Sequence, residues 1–106
     1  MTQQEIEEEP IRITQELLKD LHALQIDVLE NLYANSKVIT FQHIKKIFSL
    51  RYNISDKTFR RRIDQLEKLG LIESIKSYEK MMRPIPKIKD DILKAIETYR
   101  TSVVWQ

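Results

Sequence analysis

The feature that most constrains the fold is an amphipathic segment in the second half of the chain, which ends at the single glycine. Its apolar residues follow one another at steps of four, three and three, the spacing of one helix face. These residues are Phe59, Ile63, Leu66 and Leu69. Ser55 is a favourable N-cap, and Asp56 lies at the positive end of the helix dipole. Because Gly70 can adopt the left-handed conformation that ends many helices, we predict a helix between Ser55 and Gly70.

Two further helices are predicted before this segment. Residues 1–13 are acidic and predict a disordered arm, and Thr14 can cap an N-terminal helix. That helix has an apolar stripe of Leu17, Leu21, Leu24, Val28 and Leu32. The stripe fits either one helix to about Ala34 or two pieces that meet near residues 22–24. Thr40 is predicted to cap a second helix, which follows a very short extended piece at residues 38–39 and has an apolar face of Phe41, Ile44, Ile47 and Phe48.

A hairpin and a final helix are predicted after the segment. Residues 71–75 alternate in polarity like a half-buried strand, and "IPKIK" at 85–89 predicts the return strand. Met81 and Met82 lie between them and would point in different directions, so we expect only one of them to pack. The final helix is predicted to begin at about Lys89.

Glycine and cysteine contents exclude several classes of protein. Phosphate loops, dinucleotide fingerprints and nucleophile elbows need two or three glycines, and this chain has one. Without cysteine there are no disulfides, thiolate metal sites or cysteine nucleophiles. His22 and His43 have no metal-binding context. We therefore expect no enzymatic activity, no cofactor and no metal. The acidic N-terminus and the lack of a long apolar run predict a cytoplasmic protein without membrane association.

Charge is distributed unevenly along the chain. Residues 40–89 contain 13 Lys and Arg and 5 Asp and Glu, a net charge of +8, whereas the whole chain carries +2. The segments on either side are both net acidic. A basic middle segment is typical of a face that binds a polyanion, although a solvated surface of mixed charge is the alternative.

Residues from about Leu24 to Ile88 resemble the winged helix-turn-helix family of DNA-binding proteins. The resemblance rests on "LQIDVLENL", "ITFQHIKKIF" and "ISDKTFRRRIDQLEKLGLIE", in which a capping serine opens the recognition helix and "LEKLGLI" leads into the wing. MarR-like, PadR-like and small archaeal or viral regulators share this pattern. It implies an α+β, mostly helical single domain at residues 14–106. The helix-turn-helix would span about 40–70, the wing about 71–88 and a C-terminal helix about 89–103.

The resemblance implies that the third helix enters the major groove of double-stranded DNA. With its apolar residues turned inward, positions 57, 60, 61, 64 and 68 lie on the outer face, and 58 and 62 lie at its margins. Arginine can contact guanine through two hydrogen bonds, whereas lysine or threonine can bind phosphate. The candidate contacts are Lys57, Thr58, Arg60, Arg61 and Arg62. For Arg62, the alternative is an ion pair with Glu67 or Asp56.

The second helix and the wing supply further candidates. Lys45 and Lys46 could contact phosphates that the second helix crosses. Lys76, Lys80 and Arg83 flank the expected tip of the wing, where members of this family commonly touch the minor groove or the backbone. For each of these residues, the alternative is an ordinary solvated charge.

The last helix carries the candidates for a dimer interface. Ile92, Ile96, Tyr99, Val103 and Trp105 form more apolar surface than a small core needs. We predict a homodimer through the first and last helices, with packing of these helices within one chain as the alternative. The expected function is that of a sequence-specific DNA-binding protein that regulates transcription. The alternative function is a winged-helix module that binds proteins without base readout.

Overall fold

The computed structural model describes residues 15–36, 38–76 and 78–104, within which the chain forms five α-helices and three short strands. The predicted arm, Thr14 and Trp105 lie outside these ranges. The helices are α1 (Gln15–Lys19), α2 (Ala23–Asn35), α3 (Phe41–Tyr52), α4 (Asp56–Lys68) and α5 (Lys89–Val104). The strands are β1 (Ile39–Thr40), β2 (Glu73–Lys76) and β3 (Lys80–Arg83). The protein is thus mostly helical with a small sheet, which confirms the predicted class.

The N-terminal apolar stripe is divided between two helices, α1 and α2. His22 has an extended backbone conformation and caps α2, since its side chain accepts a hydrogen bond from the Leu24 N–H at 3.1 Å. The Gln25 side chain in turn accepts from the His22 N–H at 2.7 Å. This reciprocal pair is a capping box, and it satisfies backbone donors that would otherwise lack partners. Of the two alternatives that the sequence left open, the structure has the one with two pieces.

Helix α3 begins and ends at residues suited to these positions. The Thr40 hydroxyl accepts a hydrogen bond from the His43 N–H at 3.1 Å, as the sequence predicts. Asn53 ends the helix with a φ of 53°, in the left-handed region that asparagine tolerates better than most residues. The apolar face predicted for α3 is buried at Phe41, Ile44 and Phe48 and half-buried at Ile47.

Helix α4 has the predicted cap at each end. The Ser55 hydroxyl accepts from the Thr58 N–H at 3.2 Å. Gly70 has a φ of 78°, and its N–H donates to the Glu67 carbonyl at 3.0 Å. The Leu71 N–H reaches back to the Leu66 carbonyl at 3.0 Å, and both leucine side chains are fully buried. These two bonds and this apolar pair form a Schellman motif, which fixes the direction in which the chain enters β2.

The three strands form an antiparallel sheet in the order β1-β3-β2. Ile39 lies opposite Met82, and Lys76 lies opposite Lys80. The predicted return strand at 85–89 is wrong, because β3 lies earlier and residues Pro86–Ile88 form a 3₁₀ turn. Met82 is the fully buried residue of β3. Pro86 lies in the segment that was predicted as the strand, and proline has no N–H to donate to a sheet. Met81 is only half-buried, so one of the two methionines packs in the core, as expected.

Helix α5 packs against α1 and α2 in the core of the single chain. Ile92 and Ile96 are buried there together with Ala95. These two isoleucines, predicted for a dimer interface, are therefore taken up by packing within one chain, the alternative given above. Tyr99 is half-buried, and the Val103 side chain lies outside the described part of the structure. None of the described helices has both the length and the apolar character needed to cross a membrane.

Candidate nucleic-acid interface

The outer side of α4 presents four exposed cations: Lys57, Arg60, Arg61 and Lys68. We call these four residues the cationic face. The opposite side of the helix is buried at Phe59, Ile63 and Leu66, each with 0% exposure. The division into outer and inner positions is thus largely the one that the sequence predicts, with Thr58 and Arg62 half-buried at the margins. Asp64, predicted on the outer face, and Leu69, predicted on the inner face, are also half-buried. Among the residues that the structure describes, the cationic face has no acidic partner within 4.0 Å.

Arg60 and Arg61 differ in how they are held. The Arg60 guanidinium carbon lies 4.8 Å from the centroid of the Phe41 ring, which itself packs edge-on against Phe59 with centroids 5.4 Å apart. A cation over an aromatic ring at an exposed site contributes about 0.5–1 kcal/mol. Arg61 has no ring contact or ion pair within the described ranges. Arg60 is therefore fixed against the start of α3, whereas Arg61 can extend into solvent.

Arg62 does not form the ion pair considered as its alternative role. Asp56 pairs with Lys45, and Glu67 pairs with Lys80. The backbone carbonyl of Arg62 accepts a hydrogen bond from the buried Gln25 side chain at 3.0 Å. Arg62 as a whole is half-buried and lies at the margin of the cationic face.

The start of α4 is tied to α3 by an ion pair. Lys45 Nζ lies 3.1 Å from Asp56 Oδ2, and the lysine side chain is only 19% exposed. The Thr58 hydroxyl takes part in the cap, 3.1 Å from the Ser55 hydroxyl. Lys46 is exposed. Of the two predicted lysines on α3, Lys46 therefore offers an unshared charge, while Lys45 helps to hold the two helices together.

Two of the three predicted cations on the hairpin are paired with acids. Lys80 Nζ lies 3.5 Å from Glu67 Oε2 and 3.8 Å from Asp64 Oδ1, both on α4. Arg83 donates to Glu73 across the hairpin at 2.7 Å. Lys76 is exposed and has no ion pair with another described residue. Lys80 and Arg83 thus brace the hairpin, and Lys76 is the predicted hairpin cation whose charge remains available.

Gln25, which sequence reasoning did not single out, fastens α2 to α4. Its exposure is 1%, and its amide nitrogen donates to the Arg62 carbonyl at 3.0 Å and to the Gln65 side chain at 2.9 Å. A buried amide needs such partners, since leaving it unpaired costs about 1–3 kcal/mol. The signal in the sequence was the His22-to-Gln25 spacing of a capping box, although that spacing does not reveal the contact with α4.

Tyr33 is a second residue that sequence reasoning missed, and it anchors both ends of the hairpin. Its buried hydroxyl donates to the Leu71 carbonyl at 2.6 Å, before β2, and accepts from the Ile85 N–H at 3.0 Å, after β3. Burial is the main cause of its raised pKa. A tyrosine within an apolar stripe is a signal for such a role, because a buried hydroxyl needs a partner.

A second group of charged residues connects α2, α3 and α5 and consists of Asp27, Glu30, Arg51, Tyr52 and Arg100. We call it the α2–α5 cluster. Arg100 Nη2 donates to Asp27 at 2.8 Å and to Glu30 at 2.7 Å. The Tyr52 hydroxyl donates to Asp27, and burial together with this hydrogen bond raises the pKa of Tyr52 to about 12. In this cluster the arginines have acidic partners.

Comparison with protein-family models, curated proteins and solved structures finds no significant match to this chain. Within the described ranges, no three or more carboxylate or imidazole side chains lie close enough together to share a metal ion. The geometry of the side chains is therefore the basis for a functional proposal.

Proposed function

We propose that this protein binds double-stranded DNA in a sequence-specific manner and regulates transcription, with α4 in the major groove. The observation that carries the proposal is the cationic face, whose four side chains are exposed and have no acidic partner among the described residues. Exposed cations repel one another, and a bound polyanion relieves this repulsion. An α-helix fits the major groove of B-DNA, about 12 Å wide.

The arrangement of elements supports a winged helix-turn-helix fold. The short strand between α2 and α3 pairs with the hairpin that follows α4, in the order β1-β3-β2. The ion pairs between Lys80 and the two acids of α4 hold that hairpin beside the proposed recognition helix. We infer that the hairpin is the wing and that it approaches the same DNA as α4.

The contacts of each side chain suggest a division of roles. Arg61 is the candidate for base readout, because its guanidinium is not engaged within the described chain and can form two hydrogen bonds to guanine. Arg60, fixed on Phe41, is better suited to a phosphate at a constant position. Lys57, Lys68 and Lys46 supply further phosphate contacts.

A protein-binding module without base readout is the second candidate function. The observation that favours it is the exposure of two apolar side chains that are not on α4, Leu50 at 79% and Val38 at 42%. Such a module would not require the cationic face, and it would not select a DNA sequence.

A homodimer through α1 and α5 stays a prediction. With Ile92 and Ile96 in the core of one chain, it would depend on Tyr99, Val103 and Trp105. Sedimentation equilibrium at several concentrations, with and without DNA, would give the oligomeric state directly.

The proposed function is tested by selecting duplexes from a random pool with the purified protein and sequencing those retained. We expect a defined site to be enriched, and Arg61→Ala to weaken binding to it by about 1–3 kcal/mol while relaxing the choice at one or two positions. Lys94→Ala is the matched control, because Lys94 is an exposed cation on α5. Absence of any enriched sequence would favour the protein-binding module instead.

A further inference from the structure

The acidic residues at the start of the chain match the charge that the cationic face lacks. Residues 1–13, which we call the arm, contain four glutamates and one arginine, a net charge of −3, whereas the whole chain carries +2. The glutamates lie within five positions: Glu5, Glu7, Glu8 and Glu9. The arm lies outside the described residues, and within those residues the cationic face has no acidic partner within 4.0 Å. Their opposite charges make the arm and the cationic face candidates for a contact within one chain.

The folded chain begins close enough to α4 for the arm to reach it. Helix α1 starts at Gln15 and has five residues, a length of about 7 Å. At the start of α2, Gln25 accepts a hydrogen bond from the His22 N–H at 2.7 Å and donates to the Arg62 carbonyl of α4 at 3.0 Å. The path from Gln15 to Gln25 and across this bond therefore covers at most about 30 Å. The ten residues before Gln15, the first of which is Glu5, span up to about 34 Å when fully extended.

The glutamates of the arm also match the cationic face in length. Lys57 and Lys68 lie at its two ends on α4, about 17 Å apart along the helix. An extended segment from Glu5 to Glu9 spans about 14 Å. Such a segment would bring four negative charges alongside four exposed cations without requiring a turn in the arm.

The expected strength of this contact fits a segment that DNA can displace. An exposed ion pair shifts an equilibrium by a factor of only about 1.5–5. Several such pairs act together here, and a short tether gives the arm an effective concentration on the order of millimolar at the face. The contact is therefore expected to form at low salt and to yield to a duplex, which carries one negative charge per ~1.7 Å of its axis.

We propose that the glutamates of the arm lie on the cationic face when no DNA is bound, and that DNA has to displace them. The competition with DNA rests on the proposed function. Because every duplex displaces the same contact, the arm weakens binding to all sequences by the same factor and leaves the base preference unchanged. The arm thus lowers the occupancy of non-specific DNA, so that only sites with additional base contacts stay bound.

The first test removes the negative charges of the arm. The variant combines Glu5→Gln, Glu7→Gln, Glu8→Gln and Glu9→Gln. At 50 mM salt it should bind the selected duplex and a random duplex about three- to thirtyfold more tightly than wild type, with the same factor for both. The factor should decrease at 200 mM, because salt screens the contact. Unchanged affinity at 50 mM would refute the inference.

The matched control makes the same change in net charge on the folded part of the chain. It neutralises four exposed acids through Asp20→Asn, Asp90→Asn, Asp91→Asn and Glu97→Gln. These acids form no ion pair with another described residue. The control variant should bind DNA within about twofold of wild type, since screening weakens charges far from the duplex. Equal tightening in the two variants would mean that the arm acts only through net charge, and the contact would be refuted.

The second test locates the arm and needs no DNA. The chain has no cysteine, so Gln4→Cys provides a single site for a nitroxide spin label. At 50 mM salt the label should broaden the amide NMR signals of α4 from Lys57 to Arg61, and a duplex should restore them. The same label on the four-glutamine variant should leave these signals sharp.

The outcomes separate this inference from the function on which it rests. If wild type binds the selected duplex and its α4 signals stay sharp, the contact is refuted and the proposed function stands. If α4 is broadened but no duplex binds, the contact stands, whereas the proposed function and the competition with DNA are refuted. Broadening of isotope-labelled wild type by a separate spin-labelled chain would assign the arm to a second copy and refute a contact within one chain.

Discussion

Arginines on α4 and on α5 occupy opposite electrostatic situations. Arg61, on the cationic face, is exposed and has no ion pair with another described residue. Arg100, in the α2–α5 cluster, donates to Asp27 at 2.8 Å and to Glu30 at 2.7 Å. The two residues have the same chemistry, and both lie on helices whose other side is in the core. They differ in their partners, and Arg100 is half-buried.

The comparison teaches that arginine content alone does not locate a binding face. In the α2–α5 cluster the charges are compensated within the chain, and they hold α3 and α5 against α2. On the cationic face the compensation has to come from outside the described residues, from counterions or from a bound polyanion. Charged residues of the first kind should therefore affect stability, and those of the second kind should affect binding.

Salt should separate the two regions most strongly. If a dimer of this protein makes about 6–10 phosphate contacts with DNA, the affinity should fall by ~10³–10⁵ between 50 and 200 mM salt because bound counterions are released. The unfolding free energy should change by less than about 1 kcal/mol over the same range, since ion pairs at such sites contribute little net energy. Titrations of a fluorescent duplex and thermal melts, performed in the same buffers, measure both. If the affinity for DNA did not change with salt, the proposed difference between the cationic face and the α2–α5 cluster would be wrong.

Phe59→Ala should have the next largest effect, and it acts on stability. Phe59 is fully buried beneath the cationic face, so truncation should cost ~3–5 kcal/mol of the ~5–15 kcal/mol typical of a domain. Arg61→Ala, two residues away on the outer side, should change stability by less than ~0.5 kcal/mol. Chemical denaturation of both variants gives these values. If Phe59→Ala were stable and Arg61→Ala were destabilised, the assignment of the inner and outer sides of α4 would be wrong.

A smaller effect is expected from pH in the α2–α5 cluster. The pKa of Tyr52 is raised to about 12, so its protonated form is favoured in the folded state. Its contribution to stability should be complete below the unfolded pKa of about 10 and should be lost as the pH rises toward 12. The difference in unfolding free energy between wild type and Tyr52→Phe should therefore shrink over this range. A difference that stayed constant with pH would mean that folding does not raise the pKa of Tyr52.

Local rules in the sequence were sufficient for most of the helices. Thr40, Ser55 and Gly70 act as caps where predicted, because capping depends on a few neighbouring atoms. The outer and inner sides of α4 were predictable for a similar reason, since helical spacing alone determines them. The four side chains of the cationic face thus follow from the sequence.

Contacts between distant parts of the chain were not predictable in this way. The alternation at 85–89 suggested a strand, whereas Met82 forms the buried position of β3 because it lies opposite Ile39, about forty residues earlier. The pairing of Lys80 with Glu67 depends on the same packing of the hairpin against α4. Likewise, Ile92 and Ile96 suggested a dimer because their spacing does not tell whether the apolar side meets α2 or a second chain. Tertiary packing decides these cases.

The most direct test of the central claim measures both DNA binding and stability for a variant of each arginine. Arg61→Ala and Arg100→Ala would each be titrated with the selected duplex and each be unfolded by denaturant. We expect Arg61→Ala to lose about 1–3 kcal/mol of binding energy and less than ~0.5 kcal/mol of stability. Arg100→Ala should lose about 1 kcal/mol of stability, because Asp27 and Glu30 lose their shared partner, and should bind DNA with unchanged affinity. Equal losses of DNA affinity in the two variants would contradict the account.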